Sequence, residues 1–171
     1  MTLEIATFTS PIGEILIAVR DGQVCALGFS EQWPRKRAWL EKRFGQVEFR
    51  DAADPAGVVT CLKKYFVGDA DALESVAVDT GGTPFQQRVW EELRNIPTGR
   101  TVSYAHIATA IGAPAAVRAV GAANGSNPVA LVVPCHRVIG SNGQLTGYGG
   151  GIERKRWLLA HESAQRELRV A

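Results

Sequence analysis

In the N-terminal third of the chain, apolar positions fall at strand spacing. Ile5 and Phe8 are followed by Ile15, Leu16, Ile17, Ala18 and Val19, with Pro11, Ile12 and Gly13 placed as a turn between two strands. Asp21-Gly22 is a strong hairpin signal, and Val24, Cys25, Ala26, Leu27, Gly28 and Phe29 continue the alternation beyond it. Cys25 is expected to pack there as a small buried side chain.

From residue 34 the spacing becomes helical. A helix over 34–44 puts Trp33, Leu40 and Phe44 on one face and Arg35, Lys36 and Arg37 on another. That basic triplet fits a nucleic-acid contact or a solvated helix face. A second helix over 55–67 carries Val58, Val59, Leu62, Tyr65 and Phe66, holds Cys61, and stops at Gly68. Residues 69–82 are polar and end in Asp79-Thr80-Gly81-Gly82, which reads as the connection between a domain over 1–80 and another over 81–171.

The second half is mostly helical by pattern. Thr83-Pro84 is an N-cap followed by proline at the first helical position, and a helix over 85–96 aligns Phe85, Val89, Leu93 and Ile96 before Pro97-Thr98-Gly99 stops it. Ser103 caps a helix over 104–111, Gly112-Ala113-Pro114 turns, and a further helix covers 115–123. Two short helices joined by a glycine-containing turn fit a helix-turn-helix. The second of them has one long polar side chain, Arg118, among small ones. A major-groove reader needs several polar side chains that reach base edges. A small-residue helix suits either close, unselective approach to DNA or packing in a core. After Asn127-Pro128, residues 129–133 form a short β-branched run, then Pro134-Cys135-His136, a tight turn at Asn142-Gly143, a glycine-rich loop over 146–151 and a last helix over 153–161 with Ile152, Trp157, Leu158 and Leu159 facing inward.

Composition narrows the class. Of 171 residues, 46% are hydrophobic and 21% charged, as in an ordinary soluble globular protein. No apolar run approaches membrane-helix length, and the first residues lack the basic start and apolar block of an export signal, so a cytoplasmic location is expected. The net charge of +2 is uneven: residues 1–80 carry 9 Lys/Arg against 12 Asp/Glu, and residues 81–171 carry 10 against 5. A basic second half favours a polyanionic partner or is an unevenly charged surface. The three cysteines, Cys25, Cys61 and Cys135, are widely spaced with no CxxC pair, which speaks against a zinc ribbon or a redox pair.

Cys135 is the candidate nucleophile because His136 follows it. A nucleophilic thiol needs thiolate character, access and a base. Adjacent residues in a strand face opposite ways, so a Cys–His partnership needs Pro134 to end the strand and a turn or short helix to follow. A water bridging thiol and imidazole relaxes that demand. A carboxylate must orient the imidazole, and Glu162 is the candidate.

Pro134-Cys135-His136-Arg137-Val138 resembles the active-site motif of the O6-alkylguanine-DNA alkyltransferases, also called methylated-DNA–protein-cysteine methyltransferases. The likeness covers nearly the whole second half: Gly82-Thr83-Pro84-Phe85-Gln86, Ile96-Pro97, Val102-Ser103-Tyr104, Arg118-Ala119-Val120-Gly121, Asn127-Pro128, Gly147-Tyr148-Gly149-Gly150 and Leu158-Leu159-Ala160-His161-Glu162 stand in the family's order. The N-terminal half resembles the family's more variable domain only loosely.

The resemblance implies an α+β fold, with a small N-terminal β-sheet and helices of ribonuclease-H-like type and a mostly helical, winged helix-turn-helix-like C-terminal domain. It implies repair of DNA by direct reversal of damage: irreversible, stoichiometric transfer of an alkyl group from O6-alkylguanine, and from O4-alkylthymine, to Cys135 after base flipping. His136 would act through water as base, oriented by Glu162, and Asn127 would link the recognition helix to the site. Tyr104 would place its hydroxyl near the flipped nucleotide and help rotate the phosphate. Arg118 would fill the vacated stack, and the small side chains of Ala119, Ala122 and Ala123 would seat the helix in the minor groove. Ser141 would contact a phosphate. Tyr148, Gly149 and Val138 would line the alkyl pocket, the glycines at 147, 149, 150 and 151 leaving room for groups larger than methyl. The partner would be double-stranded DNA carrying alkylated guanine or thymine, met by a monomer with no membrane attachment; assembly of several copies on DNA stays open. No cofactor is implied. Some family members hold a structural zinc through N-terminal Cys and His residues, but no His precedes His106 here, so no zinc is expected. Two other readings compete: a helix-turn-helix regulator without alkyl-transfer chemistry, and a Cys–His hydrolase, for which nothing else in the chain supplies an acyl site.

Overall fold

The computed structural model describes residues 1–170, with side chains to residue 167. The chain forms two compact units. The first is Met1–Thr80 together with Pro128–Val132, and the second is Gly81–Asn127 together with residue 133 onward.

In the first unit a four-stranded sheet runs in the order β3-β2-β1-β4. Strands β1 (Thr2–Ser10), β2 (Gly13–Arg20) and β3 (Gln23–Phe29) form two antiparallel hairpins. The second hairpin turns at Asp21 (φ 50°) and Gly22 (φ 78°), the pair of left-handed residues that a tight two-residue turn demands. Residues 24–29 of β3 are all buried, so the expected alternation gives way to a strand covered on both faces. Helix α1 (Trp33–Phe44) supplies Leu40 to a cluster with Leu3, Ala18, Cys25 and Ala26. Strand β4 (Glu48–Asp51) was not legible in the pattern, because only Phe49 of its four residues is even half-buried; it pairs parallel to β1 at the sheet edge. Helix α2 (Val58–Phe66) buries Val58, Val59, Leu62 and Tyr65, and Cys61 is half-buried.

The stretch expected as a bare connection belongs to this unit. Ala70, Leu73 and Val76 are buried, and Val78 forms a parallel bridge with Val24. Of the basic triplet on α1, Arg37 pairs with Glu41 at 3.1 Å, and Lys36 Nζ donates to the Pro128 carbonyl at 3.0 Å.

The second unit contains α3 (Pro84–Arg94), α4 (Tyr104–Ala110), α5 (Val117–Gly125) and α6 (Ile152–Val170), with a parallel pair of two-residue strands, β5 (Val102–Ser103) and β6 (Val138–Ile139). Thr83 caps α3 through a reciprocal box: its Oγ1 accepts from the Gln86 N–H while Gln86 Oε1 accepts from the Thr83 N–H. Gly82 before it has φ 83°, and a Cβ there would stand 2.5 Å from the Trp90 ring, so glycine is required on both counts. Trp90, which the apolar stripe omitted, is buried and donates its indole N–H to the Ala123 carbonyl at 2.8 Å, tying α3 to α5. Ser103 caps α4 by accepting from the His106 N–H. Helix α5 begins two residues later than the pattern suggested, because residues 114–116 are still turning. Helix α6 continues well beyond residue 161.

The run 129–133 is a correction. It reads as a strand by β-branching, yet it is a buried turn in which only Val129 makes a bridge, to Leu27, and Leu131 takes a left-handed φ of 67°. Its apolar side chains meet burial, not pairing: all five residues from 129 to 133 are at most 7% exposed. The class expected from the sequence, a small N-terminal sheet with helices followed by a helical second part, is the one observed.

Candidate active site

Pro134 changes the backbone before the thiol. Its φ/ψ of −82°/65° opens a 3-10 helix, Cys135–Arg137, closed by the Arg137 N–H on the Pro134 carbonyl. Cys135 and His136 therefore do not alternate as they would in a strand. Cys135 is 7% exposed, His136 0% and Arg137 7%.

One carboxylate organises what lies behind the thiol. Glu162, fully buried on α6, accepts from His136 Nε2 at 2.7 Å, Arg137 Nε at 2.9 Å and the second Arg137 terminal nitrogen at 3.0 Å. The remaining guanidinium donors reach the Ile96 carbonyl at 2.8 Å and Thr98 Oγ1 at 3.2 Å. Burial alone would push the Glu162 carboxyl up, but His136 and Arg137 outweigh it and hold the group well below the ordinary carboxylate range. With Nε2 committed to Glu162, His136 Nδ1 is buried without a protein hydrogen-bond partner. The ring thus keeps one hydrogen-bonding position that no protein group fills.

The turn after α3 is fitted to this cluster. Gly99 has φ 78°, and a Cβ on it would meet Arg166 Cβ at 2.8 Å and the Glu162 carbonyl at 3.2 Å. Thus Ile96-Pro97-Thr98-Gly99 lies against α6 and caps the Arg137 side chain.

From the recognition side, Asn127 Nδ2 donates to the Val133 carbonyl at 2.8 Å and Asn124 Nδ2 to the Cys135 carbonyl at 3.4 Å. Both anchor the end of α5 to the backbone that bears the thiol. On α5, Val120, Ala123 and Asn124 are buried, while Arg118, Ala119 and Ala122 are exposed. Ser141 and Gly149 are exposed in the loop after β6, and Val138 is fully buried. Tyr148 turns its hydroxyl inward, where that oxygen is buried without a protein partner; burial and then the neighbouring Cys135 charge raise its pKa well above the ordinary phenol value. Tyr104 opens α4, and its hydroxyl lies 2.9 Å from Thr146 Oγ1.

Lys155 escaped the sequence reading. It sits in Arg154-Lys155-Arg156, which looks like a solvated basic patch, yet it is 0% exposed and donates from Nζ to the Val138 carbonyl at 2.7 Å and the Thr146 carbonyl at 2.9 Å. Its phase gives it away: Lys155, Leu158, Glu162 and Gln165, all buried, share one face of α6 at intervals of three and four. Burial lowers the Lys155 pKa, and a negative Cys135 opposes that shift. Among the described residues no group of three or more His, Cys, Asp or Glu is placed to hold a metal ion.

A buried acid–base cluster behind a cysteine, on a frame of capped short helices with an unencumbered small-residue face, defines a nucleophilic-cysteine protein of the helix-turn-helix type. Residues 84–164 match the family model described as 6-O-methylguanine DNA methyltransferase, DNA binding domain. A methylated-DNA–protein-cysteine methyltransferase of Mycolicibacterium paratuberculosis is 46% identical over 162 residues, covering 94% of this chain and 92% of that one. One from Shigella flexneri is 54% identical over 111 residues, 65% of each chain. The crystal structure of Mycobacterium tuberculosis O6-methylguanine methyltransferase aligns with a TM-score of 0.79 at 44% identity, covering 95% of this chain and 94% of that one, and the same protein has been solved in complex with DNA. The chain belongs to the methylated-DNA–protein-cysteine methyltransferase family.

Proposed function

We propose that this protein repairs DNA by moving the alkyl group of an O6-alkylguanine onto Cys135, once per molecule. The observation that carries the reading is the fully buried His136–Glu162 pair at 2.7 Å, with His136 next to Cys135 in the same 3-10 helix. His136 takes the thiol proton through a bridging water, and Glu162 holds the ring and stabilises the charge it gains. The thiolate sulfur attacks the sp³ carbon; the C–S bond forms as the C–O6 bond breaks, and the electron pair stays with the purine. The base gains a proton as its oxygen reverts to a carbonyl, balancing the one lost by the thiol. A thioether offers no leaving step, so turnover stops there.

The base must leave the stack for this geometry to arise. Arg118 is the long exposed side chain that fills the gap, and Ala119 and Ala122 let α5 lie close in the minor groove, where readout is degenerate. Tyr104 donates to the flipped base, Ser141 meets a phosphate, and Tyr148, Gly149 and Val138 line the alkyl pocket. O4-alkylthymine offers the same alkyl–oxygen bond beside a ring nitrogen and is the second substrate. Residues 1–80 act as a scaffold for the domain over 81–171.

Incubation with duplex DNA bearing one O6-methylguanine should add a single methyl mass to the peptide containing Cys135, with product capped at one equivalent of protein. Multiple turnover, or binding to DNA with no adduct, defeats the reading; binding that is sequence-selective and survives Cys135→Ser would identify a regulator instead.

A further inference from the structure

The wing loop after β6 carries a side chain that the chemistry above does not use. Thr146 makes two contacts of different kinds: its carbonyl accepts from Lys155 Nζ at 2.9 Å, and its Oγ1 lies 2.9 Å from the Tyr104 hydroxyl. The same ammonium also holds the carbonyl of Val138, the residue that follows the Cys135 helix, at 2.7 Å. A continuous chain therefore runs from the backbone just after the nucleophile, through Lys155 and Thr146, to the phenol that opens α4. No backbone helix or strand links Tyr104 to that loop; β5 and β6 pair only 102–103 with 138–139.

We propose that Thr146 is a positioning residue for alkyl transfer, holding the Tyr104 hydroxyl and directing its proton toward the flipped base. The proposal rests on the reading of the site as an alkyltransferase. A hydroxyl pair can be arranged in two ways. If Tyr104 donates to Thr146, its single proton is spent and it cannot protonate the base. If Thr146 donates to the phenol oxygen, the phenolic proton stays free, and the accepted bond strengthens the phenol as a donor, since hydrogen bonds in a chain polarise one another. The second arrangement matches the electron flow: as the C–O6 bond breaks, charge grows on the purine, the Tyr104 proton meets it, and the Thr146 proton meets the charge passed to the phenol oxygen. Lys155 fixes the Thr146 backbone, so the side chain keeps this geometry without help from bound DNA.

Thr146→Val keeps the shape of the side chain and removes the hydroxyl. At saturating O6-methylguanine DNA, single-turnover transfer to Cys135 should slow about tenfold, the rate equivalent of one ordinary hydrogen bond. The dissociation constant for the same duplex should stay within about twofold of wild type, since that loss amounts to under half a kcal/mol. Thr146→Ser should restore the rate. In a Tyr104→Phe background, Thr146→Val should cost nothing further. A T146V rate equal to wild type, or an equal loss in the Y104F background, overturns the proposal while wild-type transfer upholds the alkyltransferase reading. Amide exchange of residues 140–147 in the DNA-free protein gives an arm independent of any transfer: it should quicken in T146V and return to wild type in T146S, and unchanged exchange also overturns the proposal.

Discussion

Glu162 serves two cations of different character. Arg137 is permanently charged and bound through two nitrogens, whereas His136, the proposed base, meets the carboxylate through Nε2 alone. Glu162→Gln should slow transfer by at least about tenfold, a modest part of what an oriented base contributes. It should also destabilise the fold by about 3–5 kcal/mol, since it leaves the Arg137 charge buried and underpaired. The acid dependence has a definite sign. The folded-state value of Glu162 lies below its ordinary 4.5, so the stabilisation is complete above that pH and is lost as pH falls further toward the folded value. Melting temperatures of wild type should therefore drop steeply below about pH 4.5, and E162Q should lack that component; parallel curves would refute it. The cysteines separate on the same grounds. Burial and then the nearby Asp79 carboxylate push the Cys25 thiol up to about 11, so it should resist iodoacetamide in the folded protein. Cys135 should alkylate first and the half-buried Cys61 more slowly, as peptide mapping over a time course would show; labelling of Cys25 alongside Cys135 would contradict this.

At the scale of elements, α5 separates its duties by face. Val120, Ala123 and Asn124 turn inward and Arg118, Ala119 and Ala122 outward. Arg118→Ala should leave the melting temperature unchanged, because the side chain is exposed. It should cut transfer on duplex DNA about tenfold or more, while transfer from the free base O6-benzylguanine, which needs no flipping, should hold. Equal losses on both would remove the stack-filling role. The elements that were legible in the sequence are those set by local chemistry: the Asp21-Gly22 hairpin, the Thr83 and Ser103 caps, the apolar faces of α1 and α2, and the Pro134 break. What was not legible depends on distant partners. Residues 129–133 carry strand-forming side chains, but they lie buried in a turn where only Val129 makes a bridge, to Leu27. Strand β4 is polar and exists only because β1 offers an edge. At the site, Cys135, His136 and Glu162 could be named in advance; Lys155 was masked by its charged neighbours Arg154 and Arg156, and its burial rests on the Val138 and Thr146 carbonyls, 17 and 9 residues earlier in the chain.

At the scale of the whole molecule, the charge division has an electrostatic reading. Residues 81–171 hold twice as many basic as acidic side chains, 10 against 5. Association with duplex DNA should then weaken as salt rises. About four phosphate contacts would give roughly a hundredfold loss of affinity between about 50 and 200 mM salt, linear on logarithmic axes. Binding indifferent to salt would mean that the basic excess does not meet the backbone. No helix among the described residues is long and apolar enough to cross a membrane.

The excursion of Pro128–Val132 into the first unit has a consequence for descent. Leu27 gives its N–H to the Pro128 carbonyl and receives the Ala130 N–H on its own carbonyl, so an outer stretch of β3 is completed by residues encoded far downstream, just before the cysteine motif. A gene crossover anywhere between codons 81 and 127 would part that strand from the segment that covers it, leaving an open edge of the kind that invites aggregation. A crossover that preserves the first unit must therefore bring residues 128–132 along with it, although they are encoded within the second half.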